Sequence, residues 1–195
     1  MIISIDQLFD EIDRHFLDVS KLRHYEIFAD KVRNIEGWFK GELFYLFASL
    51  EKDQAFRDWK YEIALKDILN RPEKGIIDFK VTINGEPIYL EMKTVLSSGQ
   101  QGKSAIDASL FFDPNPSSGY IGSDAHKLAK IGQGYCLLFV YPFPQKLERW
   151  QRIVENFVRR MAQVNIDVAE ISIPNKRYPS SLYISKLKVA ARNLL

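Results

Sequence analysis

One stretch constrains this chain more than any other: Gly75 to Thr94, reading GIIDFKVTINGEPIYLEMKT. Asn84-Gly85 at its centre is a strong hairpin signal, because a type I′ turn needs positive φ at both central residues. The flanks alternate with period two. Ile77, Phe79, Val81 and Ile83 share one face of the first strand, and Ile88, Leu90 and Met92 share one face of the second. Such apolar sets make a buried face. Asp78, Lys80, Tyr89, Glu91 and Lys93 are therefore expected to project from the other side.

The register decides how the charges meet. A two-residue loop at Asn84-Gly85 sets Ile83 opposite Glu86 and, counting back, Asp78 opposite Glu91. Like charges directly opposite are destabilising on a sheet, which a cation between the carboxylates would explain. A four-residue loop keeps the same faces but sets Asp78 opposite Lys93, a plain salt bridge. Hard oxygen ligands without Cys or His nearby suit magnesium or manganese better than zinc. Lys93, two residues from Glu91 on the same face, suits orienting a water, lowering its pKa or stabilising a pentavalent phosphate.

Upstream, Glu36 to Phe47 (EGWFKGELFYLF) reads as a helix with an apolar stripe of Phe39, Leu43, Leu46, Phe47 and Leu50. Glu42 falls among apolar neighbours, one turn after Trp38 and one turn before Leu46. A carboxylate there is costly unless it is paired or binds a metal; both readings stand, along with one in which it snorkels at the helix edge.

A helical Glu, a strand, an Asp-bearing strand, a Glu-x-Lys strand, then a helix and a core strand: this order resembles the PD-(D/E)XK nuclease superfamily, from about Glu36 to Tyr141. Ile77 stands where the motif's name puts Pro. The resemblance implies a restriction-endonuclease-like α/β fold, with a mixed central sheet in the order α-β-β-β-α-β and helices on both sides. It implies Mg2+ (with Mn2+ able to substitute) held by Asp78, Glu91 and the Met92 carbonyl, with Lys93 assisting the attacking water and Glu42 as the helical acid. The expected activity is hydrolysis of DNA phosphodiester bonds, in restriction, defence or repair. RNA as substrate, and a non-catalytic nucleic-acid-binding or nuclease-subunit module of the same fold, are the alternatives. One such site cuts one strand, so a homodimer or larger complex is left open.

A length of 195 residues suits one domain, read as a nuclease-like unit with a helical N-terminal extension over 1–33 and a loop or lid over 97–124. The net charge of +2 supplies no global field toward nucleic acid, so basic residues would have to act locally. The lone Cys136 lies in the apolar run Tyr135 to Val140 and reads as a core thiol. No apolar run is long enough for a membrane span. Asp6, Asp10, Glu11 and Asp13 near the N-terminus are wrong for a secretory or transit peptide, so a cytoplasmic location is expected. His15, His24 and His126 lack metal-ligand spacing.

Further readings follow along the chain. Ile5, Leu8, Phe9, Ile12 and Phe16 predict a helix, and Trp59 to Leu65 a first strand on which Glu62 is an extra acid or, the favoured reading, an exposed strand Glu. Segment 97–124, rich in Ser, Gly, Pro and Asp, reads as a mobile lid. Lys103 is the basic residue it would present to phosphate, and Phe111 and Phe112 would anchor it. Ser123 to Ile131 reads as a helix capped by Ser123 or Asp124, with Lys127 and Lys130 toward phosphate. A buried strand is expected over 135–141, a helix over 145–164 carrying Arg149, Arg152, Arg159 and Arg160, and late strands over 166–173 and 182–189.

Overall fold

The computed structural model describes residues 2, 4–16, 18, 35–53, 58–96, 107–141, 147–171 and 182–192. In chain order these form α1 (Ile5–Phe16), α2 (Glu36–Lys52), β1 (Trp59–Ala64), α3 (Leu65–Leu69), β2 (Ile76–Ile83), β3 (Glu86–Leu96), a 3-10 turn (Ala108–Phe112), α4 (Ile121–Ile131), β4 (Gln133–Tyr141), α5 (Leu147–Ala162), β5 (Ile166–Ile171) and β6 (Tyr183–Ala191). The architecture is mixed α/β: a six-stranded sheet in the order β1-β2-β3-β4-β6-β5, flanked by helices. β3 and β4 run parallel; the other neighbours are antiparallel. A parallel pair needs a crossover, and the segment carrying α4 supplies it. Among the described residues no helix is long and apolar enough to cross a membrane.

The hairpin turns as its sequence demands. Asn84 and Gly85 take φ of 54° and 85°, and Ile83 pairs with Glu86, Val81 with Ile88 and Phe79 with Leu90. This is the two-residue loop, which removes the four-residue alternative.

Each sheet face buries its own core. On one face Phe79, Val81, Leu90, Met92, Leu137 and Phe139 pack under α1 and α2, through Leu8, Ile12, Phe16, Phe39, Leu43 and Phe47. The Phe39 and Phe139 ring centroids are 4.3 Å apart. On the other face Val95, Cys136, Leu138 and Val140 pack under α4 and α5, through Ala125, Leu128, Trp150 and Phe157. Burial pushes the Cys136 thiol well above its ordinary pKa, as suits a core side chain.

Several boundaries and faces differ from the sequence expectation. Ile77 joins the second core, with Leu65 and Leu128, instead of sharing a face with Phe79. The strand rotates at Asp78, one residue past the last ladder pair. Leu65 does not end β1 but starts α3 and is fully buried. Much of the expected lid is built structure: of segment 97–124, residues 107–124 hold the 3-10 turn and the first turn of α4, while 97–106, with Lys103, lies outside the described residues. Phe112 anchors the segment against Trp150 and Phe157, at ring distances of 5.3 and 5.4 Å. Gly122 lets α4 approach this segment closely, since a Cβ there would come within 2.0 Å of the Asp113 carbonyl oxygen. The helix begins at Ile121 with Tyr120 as N-cap, and no side chain caps it. The Ser123 hydroxyl donates to the Tyr120 carbonyl at 2.9 Å, and Asp124 is buried, so neither is the cap.

Candidate active site

The site forms where β2 and β3 part. Past the Phe79/Leu90 pair, Asp78 Oδ2 accepts the Met92 amide N–H at 2.8 Å. A strand residue sends its N–H and C=O out on the same edge, so the Met92 carbonyl is directed into the same opening. β1 deforms beside it. Glu62, between the Tyr61/Phe79 and Ile63/Ile77 pairs, has φ of 52°. A left-handed non-glycine residue costs about 1–3 kcal/mol, and such outliers gather at functional sites.

Seven side chains from four elements then connect in one unbroken chain of charge. Asp78 Oδ1 contacts Lys40 Nζ of α2 at 2.7 Å, and Lys40 contacts Glu36 one turn back at 3.4 Å. Glu36 Oε2 lies 3.8 Å from Lys93 Nζ of β3. Lys93 lies 3.3 Å from Asp124 Oδ2 of α4 and donates to the Gly119 carbonyl at 3.4 Å. Asp124 Oδ1 contacts Lys127 Nζ at 3.0 Å, and Lys127 reaches Glu91 Oε1 at 2.5 Å and donates to the Ile76 carbonyl at 3.1 Å. Carboxylates and ammoniums alternate along the whole path, and the acids outnumber the lysines by one.

Burial sets the electrostatics. Glu91 is 2% exposed. Desolvation pushes its carboxyl well above the ordinary range, repulsion from Asp124 and Asp78 adds to this, and Lys127 opposes it. Burial likewise raises Asp124 against the pull of Lys127 and Lys93. For Lys127, burial would lower the pKa, but Glu91 and Asp124 outweigh it and hold the ammonium above its ordinary value. Lys40 behaves in the same way, its burial outweighed by Asp78 and Glu36. Glu91 Oε1 touches Lys127 without the angles of a hydrogen bond.

Asp78, Glu91 and Lys93 thus belong to one charge network beside the parting of β2 and β3. Glu42 does not. It bonds His15 Nε2 of α1 at 2.9 Å, and six helical residues from Glu36 turn it away from the face that carries Glu36 and Lys40. The paired reading of Glu42 is the one its surroundings supply. Lys127 and Lys130 are not free for phosphate either: Lys127 is taken up by Glu91 and Asp124, and Lys130, 46% exposed, pairs with Glu73 at 3.0 Å. Three members of the cluster were missed in the sequence: Glu36, Lys40 and Asp124. The i, i+4 spacing of Glu36 and Lys40 at the start of α2 was the available signal. For Asp124 the signal was Lys127 three residues on.

No protein-family model matches this sequence, and no curated protein shows significant similarity to it.

Among the described residues, no three His, Cys, Asp or Glu side chains are gathered as a ready metal-ligand set. Lysines stand against the acids instead. The donor chemistry nonetheless fits a hard divalent cation: all the acids are oxygen donors, Glu91 is buried with an oxygen that accepts no hydrogen bond, and the Met92 carbonyl faces the Asp78 side. Such oxygen sets suit Mg2+ or Mn2+.

Proposed function

We propose that this chain is a metal-dependent nuclease of the PD-(D/E)XK kind, acting on DNA phosphodiester bonds in the cytoplasm. One observation carries the reading. Asp78, Glu91 and Lys93, from adjacent strands, are joined through Lys40, Glu36, Asp124 and Lys127 into one network of alternating charge where β2 and β3 separate. A surface strand decorated with charges would leave these side chains in solvent; here Glu91 and Asp78 are buried.

Asp78, Glu91 and the Met92 carbonyl are the residues that would hold Mg2+, which supplies Lewis-acid stabilisation of a phosphoryl oxygen and a more acidic water. Lys93 is held by Asp124, Glu36 and the Gly119 carbonyl. From there its ammonium would orient the attacking water and meet the charge that develops on phosphorus-bound oxygen. Lys40 and Lys127 are the counter-ions of Asp78 and Glu91. With these acids engaged by a divalent cation, both ammoniums would be available to substrate phosphate. One such site cuts one strand per chain.

The test is incubation of the pure protein with DNA and RNA substrates and Mn2+, beside a Lys93→Ala control. Metal-dependent cleavage of DNA that Lys93→Ala lacks supports the reading. Cleavage of RNA alone reassigns the substrate. Binding without cleavage makes the chain a non-catalytic module.

A further inference from the structure

A row of exposed aromatic rings leads away from Asp78. Phe44 is 47% exposed and Tyr61 is 38% exposed. Phe44 packs edge-on against Trp59 at 5.0 Å and against Tyr61 at 5.7 Å, and Tyr61 packs on buried Phe79 at 5.1 Å. Phe79 is next to Asp78 in β2, and Phe44 is one helical turn after Lys40, the residue bound to Asp78. The Tyr61 hydroxyl lies within electrostatic reach of both Lys40 and Asp78. Exposed Phe side chains are ordinary when scattered singly, but contiguous exposed apolar surface marks a binding site.

We propose that Phe44 and Tyr61 form a stacking platform for unpaired nucleobases, and that the substrate enters as a single strand. The proposal rests on the nuclease reading for its direction, since the platform ends at Asp78. Base pairs bury their faces in the duplex stack. Only unpaired bases offer faces to protein rings, and proteins that bind single strands combine such rings with a basic track. Lys60, exposed on edge strand β1 between Trp59 and Tyr61, supplies positive charge for the backbone from the other face of that strand, while Lys40, one helical turn before Phe44, is held by Asp78 and Glu36. Phe79 and Trp59 support the platform from below and beside, so the exposed rings are held rigid, which limits the entropy lost on stacking.

The test uses fluorescence anisotropy with a labelled oligothymidylate and a labelled blunt duplex, in EDTA so that nothing is cut. The wild-type protein is expected to bind the single strand more tightly than the duplex. Phe44→Ala and Tyr61→Ala are each expected to weaken single-strand binding about tenfold, within the range of one lost stacking contact, and to leave duplex binding unchanged. Phe44→Trp, which keeps a ring, is expected to retain single-strand binding. Leu110→Ala, at a 57% exposed apolar position on the 3-10 turn, serves as the control and is expected to change nothing. Equal affinity for both probes, or single-strand affinity unaltered in both alanine variants, overturns the proposal. So does sedimentation showing a wild-type dimer that Phe44→Ala dissociates, which would assign the patch to self-association. These readouts need no catalysis. Ring-dependent single-strand binding in a protein that never cleaves would keep the platform and remove the nuclease reading. Cleavage of duplex with no effect of the rings would do the reverse.

Discussion

Lys127 Nζ stands 2.5 Å from Oε1 of Glu91, a carboxylate shielded from solvent by the sheet and α4. The contact holds a buried negative charge that burial and two neighbouring acids oppose. Removing one partner of a buried pair typically costs 3–5 kcal/mol, because the other charge is left uncompensated.

That relationship fixes a pH dependence. Glu91 and Asp124 are both raised, so the folded chain binds their protons more tightly than the unfolded chain. Their contribution to stability therefore falls as pH rises from the ordinary carboxylate range through the raised values. Lys127, also raised, contributes fully below the unfolded lysine pKa of about 10.5 and is lost only above it. Lys127→Met should thus cost about 3 kcal/mol at neutral pH in EDTA and progressively less as acid protonates Glu91. Urea denaturation at neutral and acidic pH measures this. A cost that stays constant across the range would mean that Glu91 does not depend on Lys127.

Glu36 and Glu42 should behave oppositely. Glu36→Gln removes a carboxylate that positions Lys40 and Lys93; losing an outer partner of a catalytic group costs about 10–100-fold, read as the rate of plasmid nicking. Glu42→Gln disturbs the part-buried contact with His15. It should leave the nicking rate within about twofold, since Glu42 stands outside the charge network that holds Asp78, Glu91 and Lys93. Loss of activity in Glu42→Gln with full activity in Glu36→Gln would restore the helical acid to Glu42.

Lys93→Ala should separate chemistry from metal binding. Its ammonium is not a metal ligand, so Mn2+ should still raise the melting temperature of the variant. A ligand at about 100 times its Kd adds about 2.7 kcal/mol of stability. Cleavage should fall by at least about 100-fold, the scale of a lost general acid–base or water-positioning group. A variant that loses the Mn2+ shift would place Lys93 in the structural support of the metal site.

The hairpin was legible because its signals are local: a turn dipeptide, a period of two, and a loop length that fixes register. So were the buried stripe of α1 and the core strand at Cys136. Ile77 was not, because its face depends on how β2 rotates where Asp78 leaves the ladder. Glu42 misled because an acid among apolar neighbours in a helix was read without the element that packs beside it, α1 with His15. Asp124 looked like a helix cap because Ser and Asp before an apolar run usually are; the true start lies two residues before Ser123, beside the close approach of Gly122 to Asp113. The charge chain from Asp78 to Glu91 joins four elements distant in sequence, and only α2 and α4 seated beside the split strands bring it together.

The most direct measurement is conversion of supercoiled plasmid to nicked circles in Mn2+ by wild-type protein and by Asp78→Asn, with the Mn2+-dependent melting shift recorded for both. Asp78 supplies a hard anionic donor and accepts the Met92 amide, so the variant should lose both the cleavage and the shift. Asp78→Asn that nicks DNA as fast as the wild type would show that this site does not carry the chemistry.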